Sequence, residues 1–96
     1  MGFETRTRTA TSTGVTVGSS TTEVLASNPD RKSATIVNAS DEVVYLQLGA
    51  SAVSGEGIYL AASGGAFNID KNNLFTGTIN GICASGGKVV TVTETP

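Results

Sequence analysis

Histidine is absent from this 96-residue chain, and so is tryptophan. Without histidine the usual general base, the partner of a catalytic serine or cysteine and the commonest metal ligand are all missing. Cysteine occurs once, at Cys83, which excludes an internal disulfide. Its setting in "INGICAS" predicts a buried small hydrophobe and not a nucleophile. Charge is also scarce. Charged residues make up 15% of the chain and the net charge is −2, against about a quarter charged in an average globular domain. No basic field exists to draw nucleic acid. The longest apolar run falls far short of the ~20 residues of a membrane-spanning helix. The opening "MGFETRTRTATS" lacks the apolar core of a secretory leader, so the expectation is synthesis in a reducing cytosol, with no membrane partner.

The acidic residues are scattered. Asp41 and Glu42 are the only adjacent pair, and they lie in a predicted turn, where solvation is the expectation. "DKNN" at Asp70 to Asn73 has too few carboxylates for a calcium loop. The glycine-rich "SGEG" and "ASGG" lack the lysine and hydroxyl of a phosphate cradle. Asn38-Ala39-Ser40 has the form of a glycosylation acceptor, but without a leader it reads as a turn. These absences predict no enzyme activity, no cofactor and no metal.

What the chain does contain is alternation. Residues fall with period two onto two faces in "GVTVG" (Gly14 to Gly18), "TEVLA" (Thr22 to Ala26), "SATIVNA" (Ser33 to Ala39) and "VVYLQLG" (Val43 to Gly49), the last with Val44, Leu46 and Leu48 on one face and Val43, Tyr45 and Gln47 on the other. The same holds for "GIYLA" (Gly57 to Ala61), "AFNID" (Ala66 to Asp70), "TGTINGICA" (Thr76 to Ala84) and "KVVTVTE" (Lys88 to Glu94). Turn residues separate these runs, as in "SNPDR", "NASDE", "SGEG" and "SGGK". Neither proline falls inside a run, as central strands require. "DKNNLFTG" reads as one helical turn or a plain loop. The expected fold is all-β: an antiparallel β-sandwich, jelly-roll or Ig-like, of about seven to nine short strands. Leu25 to Gly49 reads as three consecutive antiparallel strands joined by tight turns. The predicted core is Val24, Ile36, Val44, Leu46, Leu48, Ile58, Leu60, Phe67, Ile69, Ile79, Ile82, Val90 and Val92.

Residues 1–20 are rich in threonine, serine and glycine and can bury little. They read as an extended N-terminal arm attached to a sandwich domain of residues 21–96. From Phe3 to Thr9 the arm alternates threonine with Arg6 and Arg8, a pattern suited to adding a strand to a neighbour's sheet edge.

The motifs from Val24 to Glu94 support a resemblance. An N-P-x-R-K turn (Asn28 to Lys32) leads into "TIVNAS". "GIYL", a glycine-rich turn, "TGTINGI" and a terminal "VTVTE" follow. The pattern resembles small β-sandwich proteins of tailed-bacteriophage virions. The resemblance implies a structural protein made in the host cytoplasm and located in the virion. It implies foremost a capsid decoration (cement) protein on the outer surface of the head, stabilising contacts between capsomers. The alternatives are a tail or head-fibre adaptor and a carbohydrate-binding module. The implied partner is the major capsid protein or another virion protein, and the implied assembly a homo-oligomer, a trimer foremost. The candidate partner-binding residues are Phe3, Arg6, Arg8, Asn28, Asp30, Arg31 and Lys32.

Overall fold

The structure is a computed structural model that describes residues 10–96. Eight strands follow one another: β1 (Thr11–Val17), β2 (Thr22–Leu25), β3 (Ser33–Asn38), β4 (Val44–Leu48), β5 (Ile58–Leu60), β6 (Ala66–Ile69), β7 (Ile79–Cys83) and β8 (Lys88–Thr95). Each of the eight alternating runs forms one strand. "DKNNLFTG" forms no helical turn. Instead the Asp70 carboxylate accepts the Asn72 N–H at 2.8 Å, and the Asn73 side chain accepts the Asp70 N–H at 2.8 Å. Two short side-chain acceptors close the loop in place of a helix.

The strands form two four-stranded antiparallel sheets, in the orders β1-β8-β3-β6 and β2-β7-β4-β5. The ladders pair β1 with β8, β2 with β7, β3 with β6 and β4 with β5. The chain is thus one long hairpin, doubled back at β4–β5 and rolled into two layers. That is the jelly roll, and the Ig-like alternative falls away. The expected trio within Leu25 to Gly49 is corrected by the same topology. β2, β3 and β4 do not pair with one another; the chain changes sheet between β2 and β3 and again between β3 and β4. Among the described strands only β4 and β5 are both consecutive and hydrogen-bonded.

The core lies between the sheets. Ten of the thirteen predicted core residues are buried, and Leu48, Ile58 and Phe67 pack against the core while partly exposed. Ile36 shows the register at work: it faces Val92 on one side and Phe67 on the other. Val17, Ala34 and Cys83 complete the core cluster. The Cys83 thiol is buried and points at the Val17 carbonyl, 3.4 Å away. Gly81 lies opposite Leu46. A Cβ there would come within 2.9 Å of Val24 Cγ2, so glycine makes room for both larger side chains.

Ile82 and Ala52 are buried outside this cluster. Ile82 pairs with Tyr45 on the outward row of the second sheet, while its neighbours Gly81 and Cys83 sit on the inward one. The β4–β5 loop is tied to that sheet and to the β1–β2 connection, through Asn80 Nδ2 to the Ala50 carbonyl (2.7 Å) and the Ala52 N–H to Thr21 Oγ1 (2.8 Å).

β1 revises the expected domain boundary. Thr11–Val17 is a full edge strand, paired along its length with β8. The expected arm therefore holds a strand of the sandwich. Thr11 to Gly14 are exposed and bury almost nothing, so their place is set by backbone pairing, which residue hydropathy does not register. Residues 1–9, with Phe3, Arg6 and Arg8, lie outside the described residues.

Candidate functional site

The two ends of the sandwich are built differently, and each is organised by one buried polar side chain. At the first end stands Arg31, only 1% exposed. Pro29 and the Asn28 side chain form the preceding turn, in which Asn28 Oδ1 accepts the Asp30 N–H at 3.0 Å and the Asn28 carbonyl accepts the Arg31 N–H at 3.1 Å. The turn directs the guanidinium inward. Arg31 Nε donates to Glu94 Oε2 at 2.7 Å. Its Nη1 donates to the Phe75 and Gly77 carbonyls at 2.7 and 3.2 Å, and its Nη2 to the Ala26 carbonyl at 2.6 Å. The planar fork suits this task, because its donors diverge in fixed directions.

Arg31 thereby binds the end of β2, the β6–β7 loop and β8 into one unit. Asn28 adds two further links, from its N–H to the Thr76 carbonyl (2.8 Å) and from Nδ2 to Glu94 (3.4 Å). The Lys32 N–H reaches the Thr95 carbonyl at 2.8 Å. The sequence placed Asn28, Asp30, Arg31 and Lys32 together as partner-binding candidates. The structure separates them. Asp30 and Lys32 are exposed, whereas Arg31 is spent inside the fold and Asn28 is half-buried. For Arg31 the assignment is corrected: none of its bonds is directed outward.

At the opposite end Asn38 has the same role, fully buried. Its Nδ2 donates to the Glu42 and Leu60 carbonyls at 2.7 and 3.1 Å. Its Oδ1 accepts the Ser40 N–H and hydroxyl at 3.0 and 2.7 Å. The expected turn at Asn38 to Ser40 is present, with the asparagine facing inward. The neighbouring carboxylates lie in the expected solvated turn, Asp41 with its side chain 82% exposed, and each also makes a specific contact. Glu42 accepts the Ser85 N–H at 2.7 Å and the Ser85 hydroxyl at 2.8 Å, joining the β3–β4 turn to the β7–β8 turn. These bonds, the backbone one foremost, hold its carboxyl below the ordinary value of 4.5. Asp41 meets Lys88 Nζ at 2.8 Å. That hydrogen bond and the attraction behind it keep Asp41 below the ordinary 3.8 and raise Lys88 above 10.5.

The chain enters β1 at the Arg31 end, because Thr11 pairs with Glu94. The described chain thus begins, at residue 10, on the end of the sandwich where the 28–32 and 70–77 loops meet. Asp30, Lys32, Lys71 and Leu74 are exposed on those two loops, Leu74 at 47%. One other exposed side chain stands out. Tyr59 on β5 is 59% exposed, and its ring packs edge-on against Tyr45 with centroids 5.7 Å apart. Among the described residues no group of three or more His, Cys, Asp or Glu is placed to hold a metal ion. Comparison with family models, curated proteins and solved structures finds no match for this chain.

The buried roles of Arg31 and Asn38 were missed by sequence reasoning. A signal was present, since each stands beside an apolar alternation and two residues from a turn former. Arginine and asparagine are exposed so often that this signal is weak.

Proposed function

We propose that the protein is a structural component of a tailed-bacteriophage virion, a decoration protein docked on the outer surface of the head. The observation that carries this reading is the gathering of the N-terminal segment's root and the 28–32 and 70–77 loops at one end of the sandwich. A rigid end with a polypeptide leading from it is suited to clamping neighbouring capsomers. The body docks through its loops, and the attached segment then binds at high effective concentration. The fold supports the reading at the level of class, since jelly rolls are frequent among viral capsid proteins. A fold does not by itself define a role. The resemblance adds to this, because its motifs contain Arg31, Asn38 and Glu94, the residues that lock the two ends.

The test is co-sedimentation with heads that lack the protein. The full chain is expected to bind and a chain without residues 2–9 to bind at least ~100-fold more weakly, about 2.7 kcal/mol. The cut stops short of β1, so the sandwich is expected to keep its thermal midpoint. Equal binding by both chains contradicts the anchoring role of the segment. No binding by the full chain contradicts the capsid reading.

Carbohydrate binding is a second reading, favoured by Tyr59. An exposed ring held edge-on by a second ring presents a flat apolar face. Glycan-array binding that Tyr59→Ala abolishes would support it, and an array without hits would remove it.

A further inference from the structure

We propose that β1 is an interface at which two copies of this chain pair edge to edge, joining their first sheets into one. This inference is independent of the capsid reading. Sheet edges carry unpaired backbone donors and acceptors, and proteins blunt them with charge, proline, bulges or shortness. The other three edge strands are blunted. β2 has four residues, carries Glu23 and is interrupted by a register shift. β5 has three residues and β6 has four. β1 has seven residues, "TSTGVTV", with no charge and no proline. Its register against β8 runs unbroken from Thr11 to Val17.

Gly14, at the centre of β1, adds a second observation. Glycine weakens a strand interior and there marks a bulge, a bend or the close approach of another backbone. No bulge is present at Gly14, and its φ is not in the left-handed region. A Cβ at this position would meet only Val89 Cγ1, at an ordinary 3.5 Å. Among the described residues nothing requires the glycine. What it does is leave the outward row of β1 bare at its centre, between Ser12 and Thr16, so that β1 is a flat, uncharged edge strand.

The occupant that fits is the same strand of a second copy. Two β1 strands in full antiparallel overlap have a two-fold axis at Gly14, where neither strand places a side chain. Ser12 of one copy then faces Thr16 of the other, and Thr13 faces Val15. No like charges meet, because β1 carries none. The contact is isologous and closes as a dimer, in place of the trimer that the resemblance implies.

The experiment is sedimentation equilibrium of the full chain and two double variants. The wild type is expected as a dimer, at twice 9.7 kDa. Ser12→Lys/Thr16→Lys places lysine opposite lysine twice across the axis and is expected to raise the dissociation constant at least about tenfold. Ser12→Glu/Thr16→Lys places opposite charges at the same two contacts and is expected to restore the dimer, more weakly as salt rises. Both positions are exposed, and circular dichroism will check that each variant keeps its strands. A monomeric or trimeric wild type overturns the proposal. So does a dimer equally stable in all three proteins.

Discussion

Arg31 shows how one residue can serve the fold while resembling a contact residue. Its guanidinium satisfies Glu94 and three carbonyl oxygens from two other segments. Replacing it by methionine takes its donors from those carbonyls and leaves the Glu94 carboxylate with the long 3.4 Å contact from Asn28. The expected loss is ~3–5 kcal/mol in urea unfolding, as for other broken buried pairs. Arg31→Lys is expected to recover little, since one ammonium cannot span acceptors that lie in divergent directions. Adding Glu94→Leu to Arg31→Met should return part of the loss, because no lone carboxylate then remains. A loss below about 1 kcal/mol for Arg31→Met would show that the bonds contribute only what an exposed pair does. In the core, Ile36→Ala is expected to cost ~2–5 kcal/mol, because Val92 and Phe67 flank the cavity it leaves. At this scale the apolar residues were legible in the sequence. Ile36, Val44 and Leu46 stand at period-two positions of their strands, and burial follows from the pleat. Arg31 and Asn38 were not, because their burial depends on carbonyl groups from distant segments converging on one point.

The strands themselves were legible for the same reason, and their pairing was not. Alternation specifies which face of β3 is buried and leaves its partners open. Those partners, β6 and β8, lie some thirty and fifty residues further along the chain. β1 was half-missed because its first four residues bury little and are held by backbone pairing. The turns at the Asn38 end carry a pH dependence. Glu42 is held below its ordinary value by Ser85, and Asp41 by Lys88. A carboxylate with a lowered folded value contributes stability above its unfolded value, and loses it as pH falls through the folded one. The contribution is therefore intact above about pH 5 and lost at acid pH below the ordinary 4.5 and 3.8. Lys88 has the opposite sense, and its contribution is lost as pH rises through a value above 10.5. Thermal midpoints of wild type and Glu42→Gln measured against pH check this. The wild type should be the more stable at neutral pH, with the gap closing in acid. A gap that is constant with pH would mean that the charge on Glu42 is immaterial to the tie with Ser85.

For the whole molecule, the distribution of polar groups is the informative feature. Arg31, Asn38, Glu94 and Glu42 hold turns and strand ends together, which leaves the 28–32 and 70–77 loops, the root of the N-terminal segment and the β1 edge as outward-facing features. Of the residues expected to bind a partner, Asp30 and Lys32 keep an exposed position and Arg31 does not. The role proposed for this arrangement is docking by one end of the jelly roll. Its most direct test is an image reconstruction of phage particles that carry the protein, set against particles that lack it. The account predicts extra density on the outer surface of the head, repeated with the capsid lattice, and oriented with the Arg31 end towards the shell. Density confined to the tail or the portal, or a sandwich bound through its Asn38 end, would contradict it.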